Sequence, residues 1–216
     1  MIEINKRTSR SSSRRLRCLS LSSMIIGMCA VSFSCQSAPA KPVASDLGSA
    51  SSNFLAGYRA VDAGDFDSAI DYYTYAIRID ESGDCGTGTI GKAYNERGYA
   101  YFRETKFAEA LKDVDLAISK NPKFVAAYLT KNSILVGENK YQDSLTNLNT
   151  VIGLLGPVEE SGVCYILRGR TEQELKMPDR AIQDYSQGVS LLDGKGKWQS
   201  LVDFAKKQIA ELGGKS

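Results

Sequence analysis

Residues 86–93 are the part of this sequence that most resembles a catalytic or cofactor-binding motif. They fit the dinucleotide-binding pattern G-x-G-x-x-G and nearly fit the phosphate-loop pattern G-x-x-x-x-G-K-[ST], and they read Gly86-Thr87-Gly88-Thr89-Ile90-Gly91-Lys92-Ala93. Both patterns bind phosphate where the loop follows a β-strand and opens a helix. Residues 66–79 have helical periodicity instead, and Ala93 lacks a hydroxyl for Mg²⁺. We therefore predict a loop that caps the next helix, with nucleotide binding as a remote alternative.

The composition excludes several other kinds of chemistry. The chain contains no histidine, so it cannot form a Ser-His-Asp or Cys-His catalytic arrangement or a His-containing metal site. Its five cysteines, at positions 18, 29, 35, 85 and 164, form no C-x-x-C pair, which argues against a zinc knuckle and a thioredoxin-type motif. We predict no enzyme activity, no metal and no cofactor.

The charge of the chain is unevenly distributed. Residues 1–34 contain six basic residues and one acidic residue, whereas the rest of the chain contains 21 basic and 24 acidic residues, a net charge of −3. An acidic folded part has no electrostatic attraction for nucleic acid or for anionic lipid. We therefore expect protein partners and no nucleic acid.

The clearest structural pattern is in residues 94–122, which read as two short amphipathic helices. Small residues at Gly98, Ala110 and Ala117 are spaced so that two helices can approach closely, and bulky apolar residues surround them at helical spacing. The turn falls at residues 104–106, and Asn121-Pro122 ends the second helix. Such a hairpin cannot bury its apolar face alone, so we expect neighbouring copies.

This hairpin resembles the tetratricopeptide repeat. The residues that match the family pattern are Tyr94, Gly98, Tyr101, Ala110, Ala117 and Pro122, with Val114 in a position that is usually aromatic. The pattern recurs at about residues 50–83, 91–124, 125–158 and 162–195. The third copy is degenerate, because Asn132 replaces the glycine and Ser144 the alanine, and looser helix packing is expected there.

The resemblance implies an all-α fold, a right-handed superhelix of four helical hairpins. Residues 196–216 contain one more amphipathic stretch, which we interpret as a capping helix followed by a tail. Stacked repeats place Cys85 and Cys164 two units apart, so we predict that they are not bonded to each other. The alternative is intermolecular pairing, or pairing through a curl of the array.

By the same resemblance, the first helix of each repeat lines a concave face that binds a protein partner. The outward positions of these helices give the candidate contact residues, which are Phe54, Tyr58, Lys92, Asn95, Tyr99, Phe102, Arg103, Arg170 and Gln173. Aromatic and Arg residues are typical of recognition surfaces. The lysine, asparagine and arginine clamp with which some family members bind a C-terminal carboxylate is not reproduced.

The N-terminal residues are typical of export. Residues 1–34 have a basic segment, a short apolar core and small residues before Cys35, and they resemble a bacterial lipoprotein signal peptide with Cys35 as the lipidated residue. By the same resemblance Gln36 favours sorting to the outer membrane, and residues 35–52 are expected to form the lipidated cysteine and a flexible tether. The alternatives are a secretory signal cut near residues 38–40 and an organelle transit peptide.

Two functions are compatible with these features. The first is a non-catalytic adaptor, lipid-anchored in the envelope with its repeats facing the periplasm. Its partner would be an envelope protein such as a cell-wall enzyme or a secretion or pilus subunit. The second is a soluble periplasmic chaperone or assembly factor with the same concave face. The sequence leaves the oligomeric state undetermined.

Overall fold

A computed structural model of the chain describes residues 48–81 and 90–213. All regular structure in these residues is helical, and it comprises four helical hairpins followed by a single helix. The hairpins are α1 (Ala50–Asp62) with α2 (Phe66–Glu81), α3 (Ile90–Arg103) with α4 (Phe107–Lys120), α5 (Val125–Gly137) with α6 (Tyr141–Leu155), and α7 (Glu159–Glu174) with α8 (Pro178–Leu192). A 3-10 turn at Gly196–Trp198 leads into α9 (Gln199–Glu211). The predicted all-α fold of four hairpins and a capping helix is confirmed.

The four hairpin turns share one backbone feature. In each turn one residue has a positive φ, and these residues are Gly64 (77°), Thr105 (60°), Asn139 (60°) and Lys176 (60°). Each lies seven residues after the position that Gly57, Gly98, Asn132 and Gly169 occupy in their repeats. The left-handed residue reverses the chain tightly, so all four repeats turn in the same way.

Small residues allow the two helices of a hairpin to approach closely. A Cβ atom added at Gly98 would lie 2.7 Å from Val114 Cγ2 and 3.1 Å from the Ala110 carbonyl oxygen. A Cβ at Gly169 would lie 3.0 Å from the Ala181 carbonyl oxygen. The side chains of Ala110, Val114 and Ala181 are fully buried, so these contacts belong to the core.

The third hairpin is packed differently, because polar groups replace the small residues. Its two helices are in close contact along less of their length than those of the other hairpins, as the degenerate pattern predicts. The Ser144 hydroxyl donates to Asn132 Oδ1 at 2.6 Å and lies 3.1 Å from Thr171 Oγ1 on α7. Asn147 Nδ2 donates to the Tyr128 carbonyl oxygen at 2.8 Å. Buried hydrogen bonds thus take the place of close backbone contact.

One polar contact recurs at each junction between repeats. A basic residue on the first helix of a repeat contacts a polar residue on the second helix of the preceding repeat. The pairs are Arg97 with Thr74 (3.0 Å), Lys131 with Asp115 (2.7 Å) and Arg168 with Asn149 (2.6 Å). Arg97 and Arg168 also form two hydrogen bonds each to an aspartate of their own hairpin, Asp113 and Asp184 respectively. Each arginine therefore ties three helices together.

The capping helix α9 covers the exposed side of the last repeat. Leu201, Val202, Ala205 and Ile209 are buried, and the Phe204 ring packs edge-on against Tyr185 of α8 at 6.1 Å between centroids. Trp198 Nε1 donates to Glu159 Oε1 at 2.7 Å and connects the 3-10 turn to the start of α7. No helix in residues 48–81 and 90–213 combines the length and apolarity that crossing a membrane requires.

Candidate protein-binding surface

Helix contacts define which side of the stacked repeats is the inner one. Each second helix packs against the first helix of the next repeat, as in the pairs α2–α3, α4–α5, α6–α7 and α8–α9. First helices also contact one another, in the pairs α1–α3 and α3–α5, and α7 contacts α9. Among the described residues no two second helices approach to this degree. The first helices therefore lie on the inner side of the curvature, as the sequence analysis expects.

Two basic side chains on the inner helices are available for a partner. Lys92 on α3 is exposed and Arg170 on α7 is partly exposed. Neither side chain forms a hydrogen bond or ion pair with another residue in the described ranges 48–81 and 90–213. The charge of Arg170 does act on Tyr185, whose pKa it lowers, but burial raises that pKa by more. Cations without a counter-charge at an accessible position can pair with a partner's carboxylates at little desolvation cost.

Half-buried aromatic rings lie on the same helices. Phe54 packs against Tyr58 at 6.1 Å and Tyr73 at 5.6 Å, measured between ring centroids. Phe102 lies 6.5 Å from Tyr99 and 6.1 Å from Phe107. Each ring has one side in the core and another towards the surface, so Phe54, Tyr58 and Phe102 stabilise the fold and still offer apolar area to a partner.

Arg103 is exposed, but its guanidinium group is already engaged within the chain. It lies over the Phe66 ring at 4.4 Å and donates from Nη1 to the Tyr99 hydroxyl at 3.0 Å. These contacts connect α3 to the start of α2 and hold the charge in a fixed position. A fixed planar cation loses less entropy when it binds than a free one.

Two of the nine predicted contact residues are buried, and the prediction that they face outward is wrong. Asn95 is 1% exposed and Tyr99 is 7% exposed. Both lie on α3, which α1 and α5 cover from either side because the first helices converge on the inner side of the curve. Asn95 Nδ2 donates to Glu96 Oε1 at 3.0 Å, while its Oδ1 atom has no donor in the described residues.

Gln173 connects the last repeat to the cap. It accepts a hydrogen bond from the Tyr185 hydroxyl at 2.9 Å and donates from Nε2 to Gln208 Oε1 on α9 at 3.0 Å. Its side chain is only partly exposed. Gln173 is therefore chiefly a structural residue of the α7–α8–α9 junction.

The glycine-rich segment is not in the structural context that phosphate binding requires. Residues 86–89 lie outside the described residues, and Ile90 to Ala93 form the first turn of α3. The element before the segment is the helix α2, as predicted, and not a β-strand. The described residues also contain no group of three or more Cys, Asp and Glu that could hold a metal ion.

Of the five cysteines, only Cys164 lies in the part of the chain that the structure describes. Cys35, the predicted lipidation site, and Cys85 lie outside the described residues. Cys164 is a free thiol on α7, fully buried, and burial raises its pKa to about 12. A thiol that stays protonated and has no solvent access is unreactive, so Cys164 acts as a core residue.

A set of charged residues in the last repeat was not predicted from the sequence. Glu172 is 6% exposed and lies beside Asp184, which Arg168 holds through two hydrogen bonds of 2.6 and 2.7 Å. A signal was present, because Arg97 and Asp113, like Arg168 and Asp184, are sixteen residues apart in two copies of the repeat. An arginine and an aspartate at that spacing form an ion pair between the two helices of one hairpin.

Solved structures share this arrangement of helices. A MamA fragment from Desulfovibrio magneticus RS-1 superposes with a TM-score of 0.56 and 16% identity, over 76% of this chain and 92% of that one. A tetratricopeptide repeat protein from Parabacteroides merdae gives 0.55 and 20% over 76% and 66%. A thermophilic tetratricopeptide repeat protein from Thermus thermophilus gives 0.54 and 15% over 76% and 90%. The fold is the tetratricopeptide-repeat fold.

Sequence comparison agrees with this tetratricopeptide-repeat fold. Hsp70-Hsp90 organizing protein 3 of Arabidopsis thaliana is 27% identical over 124 residues, which is 57% of this chain but only 21% of that protein. The match thus spans about a fifth of that relative. No protein-family model matches the chain. A tetratricopeptide-repeat fold is consistent with an adaptor in protein–protein interaction.

Proposed function

We propose that this chain is a non-catalytic adaptor that binds another protein on the inner surface of its four repeats. We further propose that a lipid on Cys35 anchors it in the bacterial outer membrane with the repeats facing the periplasm. The partner is then an envelope protein, such as a cell-wall enzyme or a subunit of a secretion or pilus apparatus.

The observation that carries the proposal is that the first helices of the repeats combine half-exposed aromatic rings with cations that have no ion pair in the described residues. Lys92 and Arg170 offer charge, and Phe54, Tyr58 and Phe102 offer apolar area. Interfaces gain most of their affinity from a few such anchors, and the charge complementarity sets orientation and the association rate. A partner segment that carries acidic residues beside apolar ones fits this surface best.

The experiment that tests the surface compares variants on the two sides of the repeats. Lys92→Glu and Arg170→Glu, introduced together, reverse both inner cations. Because neither side chain has an internal ion pair or hydrogen bond in the described residues, the fold should be unaffected, which circular dichroism checks. In quantitative capture from envelope extracts, we expect the double variant to lose partners that wild type enriches.

The matched control carries the same charge change on the second helices. Lys112→Glu with Lys120→Glu alters two exposed lysines of α4. We expect this variant to capture the same partners as wild type. If the inner and outer variants lose the same proteins equally, the charge of the chain and not its inner surface governs binding, and the assignment of the surface is wrong.

The proposed anchor is tested separately by the intact mass of the mature protein. A diacylglyceryl mass on an N-terminal Cys35 is the expected result. An unmodified N-terminus near position 41 would support the soluble periplasmic assembly factor instead, with the same inner surface.

A further inference from the structure

Glu172 occupies a position that the other repeats fill with apolar residues. It lies three residues after the small residue of the first helix, and the equivalent residues are Ala60, Tyr101 and Leu135. Glu172 is nevertheless 6% exposed, and its Oε2 atom has no hydrogen-bond donor in the described residues. A carboxylate at such a position carries a large desolvation cost unless it is paired or protonated.

The cation one turn before Glu172 on α7 is already committed to another carboxylate. Arg168 donates from Nε to Asp184 Oδ2 at 2.6 Å and from Nη2 to Asp184 Oδ1 at 2.7 Å. Its Nη1 atom donates to Asn149 Oδ1 on α6 at 2.6 Å. All three nitrogens of the guanidinium group are therefore engaged, and none donates to Glu172. Asp184 packs against α7 one helical turn before Glu172, since a Cβ atom added at Gly169 would lie 3.3 Å from Asp184 Cβ. The Glu172 carboxyl group is on this side of α7 and can donate to Asp184 when it carries a proton.

The other described groups around Glu172 do not offset the cost of burying its negative charge. Arg180 on α8 acts on it from an exposed position, where solvent weakens the attraction, and Tyr185 on α8 is a neutral phenol. The side chains of α6 and α9 that bond to α7 here are neutral ones. Glu172 is also in the last turn of α7, where the helix dipole disfavours negative charge.

We propose that Glu172 and Asp184 share one proton in the folded chain and that loss of this proton loosens the last repeat. With the proton present, Glu172 donates to Asp184 and α7 packs against α8. When the proton leaves to solvent, two carboxylates face each other beside a single committed arginine. The α7–α8 hairpin then opens more readily, and with it the contacts of the adjacent Gln173 to Tyr185 and to α9.

The direction of the pH dependence follows from the geometry. Burial, and then the charge of Asp184, raise the pKa of Glu172 to about 7 in the folded chain, above its ordinary value of 4.5. The folded state thus holds a proton that the open state releases, so stability falls as pH rises from about 4.5 and levels off above about 8. The chain has no histidine, which removes the usual source of pH dependence in this range.

Native-state hydrogen exchange of the full chain tests this proposal. With a folded pKa of about 7 and an open-state pKa of 4.5, the opening equilibrium of the α7–α8 amides should increase about tenfold between pH 6 and pH 8, after correction for intrinsic exchange. Amides of the α1–α2 hairpin are the internal control. The position equivalent to Glu172 in that hairpin is Ala60, which cannot ionise, so its opening should not follow this increase.

Two variants test whether the pH dependence of opening comes from Glu172 or from carboxylates in general. Glu172→Gln keeps the shape and a donor towards Asp184 but cannot ionise, so the tenfold increase should disappear. Glu174→Gln removes an exposed carboxylate two residues away and should behave as wild type. An equal pH dependence in wild type and Glu172→Gln would overturn the proposal.

A direct titration of wild type gives an answer that needs no variant. The side-chain carboxyl carbon of Glu172, followed by NMR from pH 4 to pH 9, should shift with a midpoint well above the ordinary glutamate value of 4.5. A midpoint in the range of ordinary glutamates would show that the buried carboxyl is ionised at neutral pH, and would overturn the shared proton.

Discussion

At the residue scale, the four hairpin turns place residues with very different conformational preferences in the same left-handed backbone conformation. Gly64 adopts a positive φ without strain, and Asn139 does so at low cost, whereas Thr105 and Lys176 have the same φ of 60° with a Cβ atom that opposes it. Thr105 is β-branched, for which this conformation is most unfavourable. The shared geometry of the repeat therefore imposes strain on individual turns.

Relieving this strain at Thr105 should stabilise the protein. We expect Thr105→Gly to raise the free energy of unfolding by about 0.5–1 kcal/mol, because the left-handed penalty of about 1–2 kcal/mol exceeds the entropy that glycine adds to the unfolded chain. The Thr105 side chain is exposed, so no packing is lost. Urea unfolding followed by circular dichroism measures the change. Asn139→Gly is the control, for which we expect a smaller gain, and equal gains would mean that the strain is not specific to the β-branched residue.

At the scale of the helical pair, close approach at Gly98 sets the distance between α3 and α4. The atoms that a new Cβ would meet are buried and include the main chain, at 2.7 Å for Val114 Cγ2 and 3.1 Å for the Ala110 carbonyl oxygen. We expect Gly98→Ala to lower the free energy of unfolding by about 1–3 kcal/mol, since overpacking forces the helices apart. Thermal and urea unfolding provide the measurement.

Gly153→Ala is the matched control, because it makes the same chemical change within α6 where space is open. No atom lies within 4 Å of the added Cβ, so only helix propensity acts, and a gain of up to about 1 kcal/mol is expected. If both substitutions change stability in the same direction, the close approach at Gly98 has no energetic role.

At the scale of the whole molecule, structural features that depend on one hairpin can be predicted from the sequence, whereas burial that depends on several hairpins cannot. Helical periodicity and small residues such as Gly98 and Ala110 define a hairpin locally, and so the all-α repeat fold could be predicted. The burial of Asn95 and Tyr99 depends on how α1 and α5 converge on α3, which no single repeat specifies. The burial of Glu172 could not be predicted from its residue type, because a charged residue in a helix is normally expected at the surface.

The capping helix shows how stability is distributed along the stack. Each repeat contacts mainly its sequence neighbours, so the last repeat depends on α9 for the cover that an inner repeat receives from the next hairpin. Val202 is fully buried in this contact, and the Tyr185–Phe204 packing and the Gln173–Gln208 hydrogen bond lie across the same interface. A defect placed in α9 should therefore weaken the nearest repeat first.

Val202→Asp tests this gradient in the full chain. A buried unpaired carboxylate costs about 3–5 kcal/mol, enough to detach α9 and expose the apolar side of α8. Hydrogen exchange should then show lost protection in α7 and α8, a smaller loss in α5 and α6, and little change in α1 and α2. Ser200→Asp, which adds the same charge at an exposed position of α9, should leave protection unchanged. Uniform loss across all four repeats in Val202→Asp would mean that the stack unfolds as one cooperative unit, so that coupling between repeats outweighs the stability of each.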